Sequence, residues 1–124
     1  MMEPASVDLT AALHWVGGDR ELLLELVGIF VEEAPDRLAE LQDAAAARDA
    51  ATVERVAHGL KGSAGILGAA RLRTASAELE ERAITERFDG VPGLLAGLER
   101  ELERVVAFFR DPAWPGKLDL EATP

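Results

Sequence analysis

His58 is the residue in this chain best placed to do chemistry. It stands in the stretch VERVAHGLKGSAGILGA, Val53 to Ala69, with a cation three residues on at Lys61 and glycine at 59, 62, 65 and 68. An imidazole titrates near neutrality, so a neutral, nucleophilic ring nitrogen is at hand under physiological conditions. Little else competes for a chemical role. The absence of cysteine excludes disulfides, thiol chemistry and thiolate-bound zinc. His14, the only other histidine, lies next to Trp15 near a helix end and is expected to be structural or simply exposed. The two histidines have no metal-ligand spacing, and no carboxylate–histidine set stands out.

The stretch around His58 has helical periodicity, yet each interior glycine costs a helix about 1 kcal/mol relative to alanine. Helical geometry sorts its residues into two faces. With His58 at zero and about 100° per residue, Val53, Val56, Leu60, Ala64 and Leu67 cluster near 160–240°, so they form the core face and His58 points away from it. On the histidine's own ridge lie Gly62 at about 40°, Gly65 at about −20° and Ala51 at about 20°, all tiny, with Lys61 flanking at about −60°. Gly59 and Ser63 sit nearer the core edge, where small residues let helices approach. Gly62 and Gly65 face outward, where a packing notch has no obvious partner within the molecule. The alternative is an ordinary surface histidine among packing glycines. The favoured reading is a docking strip: a second protein must bring a reactive atom close to the imidazole, and side chains at 62 or 65 would obstruct it.

The elements that must carry this strip are helices. Leu9, Ala12, Leu13 and Val16 have helical spacing that Gly17-Gly18 ends, and Asp19 is a natural N-cap for a second helix bearing Leu22, Leu23, Leu26, Val27 and Phe30. Ala34-Pro35-Asp36 is expected to break that helix, with a third marked by Leu38, Leu41 and Ala45. Asp49 caps the helix of His58, which runs to a glycine stop at Gly68. Leu72, Ala75, Ser76, Leu79 and Ala83 mark the next helix. Residues 88–93, FDGVPG, read as a loop. Leu94, Leu95, Leu98, Leu102, Val105, Val106 and Phe109 then make the clearest apolar stripe. No strand-like alternation competes. The fold expected is all-α: an up-and-down antiparallel four-helix bundle with a short additional N-terminal helix. Residues 1–110 are expected to form the domain. Residues 111–124, with three prolines and no periodicity, are expected to be a C-terminal tail or linker tacked down by Trp114.

Composition narrows the partners. The chain has 124 residues, one domain's worth, and 48% hydrophobic content, enough for a core. Its formal net charge of −10 disfavours binding to nucleic acid or anionic lipid. The N-terminal MMEPASVDLT lacks the basic and apolar regions of a signal peptide, and no apolar run approaches a membrane span, so no membrane insertion and a cytoplasmic location are expected.

The segment AHGLKGSAGILGAARL resembles the signature of histidine-containing phosphotransfer (Hpt) domains, roughly AHxLKGSAxxLGAxxL, followed about one helix later by a Leu-Glu pair, here Leu79-Glu80. The upstream VGGDRELLLELVGIF is similar to the family's Gly-Asp and leucine-rich helix ending in phenylalanine. The resemblance spans about residues 7 to 110. It implies a four-helix bundle that carries a phosphoryl group on one histidine, between a sensor histidine kinase or a receiver-domain aspartate and another receiver, and that has no kinase activity of its own. The typical ATP-binding boxes of a kinase are absent, and the chain is too short to hold that domain. By motif position His58 is the phosphorylated residue, Lys61 the flanking cation and Gly62 the clearance residue. Lys61 would steady phosphoryl oxygens once the group is on His58. Glu80 is the candidate acceptor for the other ring nitrogen, directly or through one water, with Glu78 or Glu81 as substitutes if the helix register differs. No cofactor is expected in this chain; any magnesium belongs in the acidic pocket of the partner receiver. The alternative function is a non-phosphorylated helical adaptor that binds signalling partners.

Overall fold

A computed structural model describes residues 6–122, with side chains described through Leu118. The first five residues of the expected 1–110 domain and the last two of the 111–124 tail lie outside the described residues. Six helices follow in order: α1 (Leu9–Trp15), α2 (Arg20–Ala46), α3 (Ala50–Ile66), α4 (Ala70–Ile84), α5 (Val91–Arg110) and α6 (Trp114–Ala122). No strand occurs among the described residues. Helix α2 packs on α3, α3 on α4, α4 on α5, and α5 back on α2, which closes the up-and-down four-helix bundle expected from the short connections. Helix α1 is the additional N-terminal helix.

Local chemistry starts and stops these helices. Asp8, Asp19 and Asp49 each accept a hydrogen bond from the backbone amide three residues on, at 3.2, 3.0 and 3.2 Å. Each satisfies a donor that the helix itself leaves orphaned. Asp49 also accepts from the Thr52 hydroxyl at 2.7 Å, and this bond, followed by the one from the Thr52 amide, holds its carboxyl below the usual range. The expected stripe of α3 is buried throughout: Val53, Val56, Leu60, Ala64 and Leu67 all face the core. They meet Leu23, Val27, Phe30 and Leu41 of α2, Leu72 and Leu79 of α4, and Leu98, Leu102 and Val105 of α5 in one cluster.

Two expectations fail here. Pro35 does not break α2, which runs 27 residues through it. Its buried residues, Leu23, Val27, Phe30, Ala34, Leu41 and Ala44, keep one helical phase across the proline, which itself lies on the exposed side. An interior proline costs about 3 kcal/mol. Burying Leu41 alone recovers about 1.5–3 kcal/mol, and Ala44 lies on the same far side, so continuing the helix wins. The loop assigned to 88–93 is also shorter than expected. Gly90 takes the left-handed φ of 81° before α5, and Pro92 falls in the first turn, where its missing N–H would have no partner in any case.

The C-terminal segment is ordered as a helix. In α6, Trp114 and Leu118 are buried, and Trp114 stacks edge-on against Phe109 with ring centroids 5.0 Å apart. Trp114 thus holds the segment down as expected. Two anchors one turn apart are too few to show as a sequence pattern, and Pro115 is tolerated because it falls in the first turn.

Candidate functional site

The hairpin of α3 and α4 folds back around Gly68, whose φ of 72° ends α3. That fold brings the second half of α4 alongside the middle of α3. His58, opposite the buried stripe, keeps 69% of its side chain exposed. Glu80 follows the core residue Leu79 and lies at the edge of α4 with only 11% of its side chain exposed. Glu78 and Glu81, the alternatives by register, are exposed.

Glu80 bridges the two functional groups of α3. Its Oε2 lies 2.6 Å from His58 Nδ1, and its Oε1 accepts from Lys61 Nζ at 2.5 Å. The bond from Lys61 is the main reason that the Glu80 carboxyl lies below its ordinary pKa, with the His58 bond adding to it and burial opposing. An ionised carboxylate can only accept, so Nδ1 carries the proton and donates it to Glu80. In the neutral ring Nε2 then holds the free lone pair. The arrangement sets one tautomer of an exposed imidazole and places an anion behind it. Lys61, 31% exposed, gives one N–H to Glu80 and has two further donors.

The glycines of α3 differ from one another. A Cβ built on Gly62 would meet no atom beyond its own stretch of helix within 4 Å, so the ridge beside His58 is open there. Ala51, at the start of the same ridge, is exposed. Gly65 was expected to have no partner inside the molecule, and this is corrected: the Cδ and Nε of Arg73 lie 3.6 Å from its Cβ position, so α4 lays an arginine stem across it. At Gly59 the nearest neighbour is Arg37 Nη1 at 3.8 Å, a guanidinium that also reaches Ser63 Oγ at 3.4 Å. Gly59 is therefore a passage for a side chain of α2, in line with its place near the core edge.

Residues outside the motif complete the surroundings. A cleft of about 410 Å³ beside the ridge is lined by Asp8 and Trp15 from the N-terminal segment, by Lys61, Gly62 and Gly65, and by Arg73. Sequence reasoning did not single out Trp15, Asp8 or Arg73 for the site. Trp15 follows the apolar stripe of α1 without belonging to it, and nothing local ties it to a residue more than 40 positions away. His14 is exposed on α1. Among the described residues no group of three His, Cys, Asp or Glu could hold a metal ion, and no helix is long and apolar enough to cross a membrane.

Comparison with known proteins agrees with this geometry. The Hpt domain family matches residues 25–108, more than half of the chain. A solved structure with a similar fold is histidine-containing phosphotransfer protein B (HptB) from Pseudomonas aeruginosa PAO1. It is 28% identical, aligns over 87% of this chain and 94% of its own, and gives a TM-score of 0.78. No curated protein matches the chain. The extent of the family match, together with the shared helical bundle, makes this chain a member of the histidine-containing phosphotransfer domain family.

Proposed function

We propose that Nε2 of His58 accepts a phosphoryl group from a histidine kinase or a receiver aspartate and passes it to another receiver. A phosphotransfer role in two-component signalling comes with the family itself. The observation that carries the residue assignment is the 2.6 Å contact between His58 Nδ1 and the buried Glu80 carboxylate beneath a ring that is otherwise exposed.

The chemistry follows from the tautomer. The Nε2 lone pair attacks phosphorus, the N–P bond forms, and the bond to the donor oxygen or nitrogen breaks with its electron pair staying on the donor. The ring keeps its Nδ1 proton and gains positive charge, which the Glu80 carboxylate behind it stabilises. Transfer to a receiver reverses these steps with an aspartate oxygen as nucleophile. Lys61 has donors left for the phosphoryl oxygens, whose charge grows in a loose transition state. Open space at Gly62 and Ala51 lets a receiver close over the ring. Any magnesium the step needs would be held by the receiver, and the transfer would take place in the cytoplasm.

The test is direct. The purified chain treated with phosphoramidate should gain the mass of one phosphoryl group, lost in acid as phosphohistidine is. His58→Gln should abolish that gain with the helical circular dichroism unchanged, since exposed positions usually alter stability by less than about 0.5 kcal/mol. Full labelling of His58→Gln would sink the assignment.

A further inference from the structure

Helices α1 and α6 both lie outside the residues matched to the family, and they pack against each other. The N-terminal helix is fixed at two places. Where it begins, the Asp8 amide donates to Gly68 O at 2.8 Å, against the turn between α3 and α4. On its other side stands α6, anchored by Trp114 and Leu118, and the Arg20 guanidinium just after α1 donates to Pro115 O at 3.1 Å. So held, α1 ends in Trp15 with 66% of the residue exposed, at the rim of the cleft over Gly62 and Gly65. The other tryptophan, Trp114, is 5% exposed. Arg73 lines the same cleft. It makes no ion pair among the described residues, as is also true of several other arginines of the chain. In a chain of formal net charge −10, Arg73 and Lys61, the latter paired with Glu80, bring two cations to a cleft whose one acidic lining residue, Asp8, caps α1.

We propose that the cleft lined by Trp15 and Arg73 is the surface by which this chain selects among receiver domains. Its occupant is the rim of a receiver's phosphoacceptor pocket. This rests on the reading of His58 given above. A receiver's acceptor aspartate and metal-binding carboxylates make that rim acidic, which suits Lys61 and Arg73. Trp15 offers a flat apolar face of the kind that dominates binding energy at interfaces. The arginine acts mainly on the encounter rate, as charges at an interface rim do. Trp15 touches no reacting atom, so its role is selection and not chemistry.

The experiment begins with the chain labelled by phosphoramidate. Purified receiver domains are screened, and the fastest acceptor serves as the probe. In Trp15→Ala the receiver concentration giving half-maximal transfer should rise about tenfold or more. The plateau rate and labelling by phosphoramidate should not change, and Trp15→Phe should restore most of the affinity. Arg73→Glu should slow transfer at low salt and weaken its salt dependence. Receiver binding should also shift Trp15 emission to the blue, with no such shift in Trp15→Phe. An unchanged half-saturation in Trp15→Ala overturns the proposal, as does a fall confined to the plateau rate. Failure of the unaltered chain to label at His58 defeats the underlying reading instead. A labelled chain from which no receiver takes the group removes receivers as the occupant.

Discussion

Gly62 and Gly68 lie six residues apart in the same stretch and have opposite reasons to be glycine. Gly62 is helical and exposed, and no atom beyond its own stretch of helix lies within 4 Å of where its Cβ would be. Gly68 has φ of 72°, and a Cβ there would sit 2.2 Å from the carbonyl oxygen of Asp8. Only Gly68 is demanded by the fold of the chain. At Gly62 the intramolecular account is missing, and helix propensity argues against the glycine. The proposed function supplies a reason from outside the molecule: a receiver closing over the exposed imidazole would need that space.

Gly62→Gln would break this comparison most sharply. Transfer to or from a receiver should fall at least a hundredfold, roughly the 2.7 kcal/mol that a steric block of close approach readily exceeds. The isolated domain should keep its stability or gain up to about 1 kcal/mol, because glycine is among the poorest interior helix residues. Phosphoramidate, being small, should be hindered less. A variant that loses stability and transfers normally would show that Gly62 serves packing. Gly68→Ala is the complement. It should lose about 3 kcal/mol by denaturant melting, from the left-handed backbone and from displacing Asp8. Phosphoramidate labelling of the molecules that remain folded should persist. A melting midpoint equal to the unaltered chain would refute the assignment of Gly68 to the fold.

Smaller effects sharpen the description of the ridge. Glu80→Gln keeps an acceptor but removes the charge, and phosphoryl acceptance at neutral pH should slow about tenfold, as for other groups that orient a reacting residue. The same substitution has a signature in acid. Because Lys61, and then His58, hold the Glu80 carboxyl below its ordinary value of 4.5, the folded state binds this proton less readily than the unfolded chain. Its stabilising contribution is complete above that ordinary value and fades as pH falls below it. Urea titrations should therefore show a shallower loss of stability below pH 4.5 in Glu80→Gln, and identical slopes would contradict the ion-pair account. The smallest effect belongs to Lys61→Ala, which should slow transfer or shorten the phosphorylated state by about two- to fivefold, in keeping with a partly exposed pair. Rates unchanged in both directions would leave Lys61 a surface lysine.

Features set by near neighbours in the chain were legible before the fold was known. The caps at Asp19 and Asp49, the buried stripe of α3 and the outward placement of His58 depend on contacts within one or two turns, and local spacing encodes them. Pro35 shows the limit. Its local cost of about 3 kcal/mol argues for a break, and the burial of Leu41 and Ala44 that carries the helix across it is supplied only by neighbouring helices. Gly65 shows the same limit on the surface, since the arginine that covers it comes from the next helix.

By its sequence alone the chain determined that it would be helical, where α2 and α3 begin, and which face of α3 turns to water, because periodicity and capping act over a few residues. Tertiary structure decided what those faces meet. It put Glu80, and not Glu78 or Glu81, beneath the imidazole, joined Lys61 to the same carboxylate, seated Asp8 on Gly68, and folded the C-terminal segment onto α1. Each of these is a contact between elements whose relative rotation and register follow from how all the buried side chains pack at once. No single stretch of sequence holds that information.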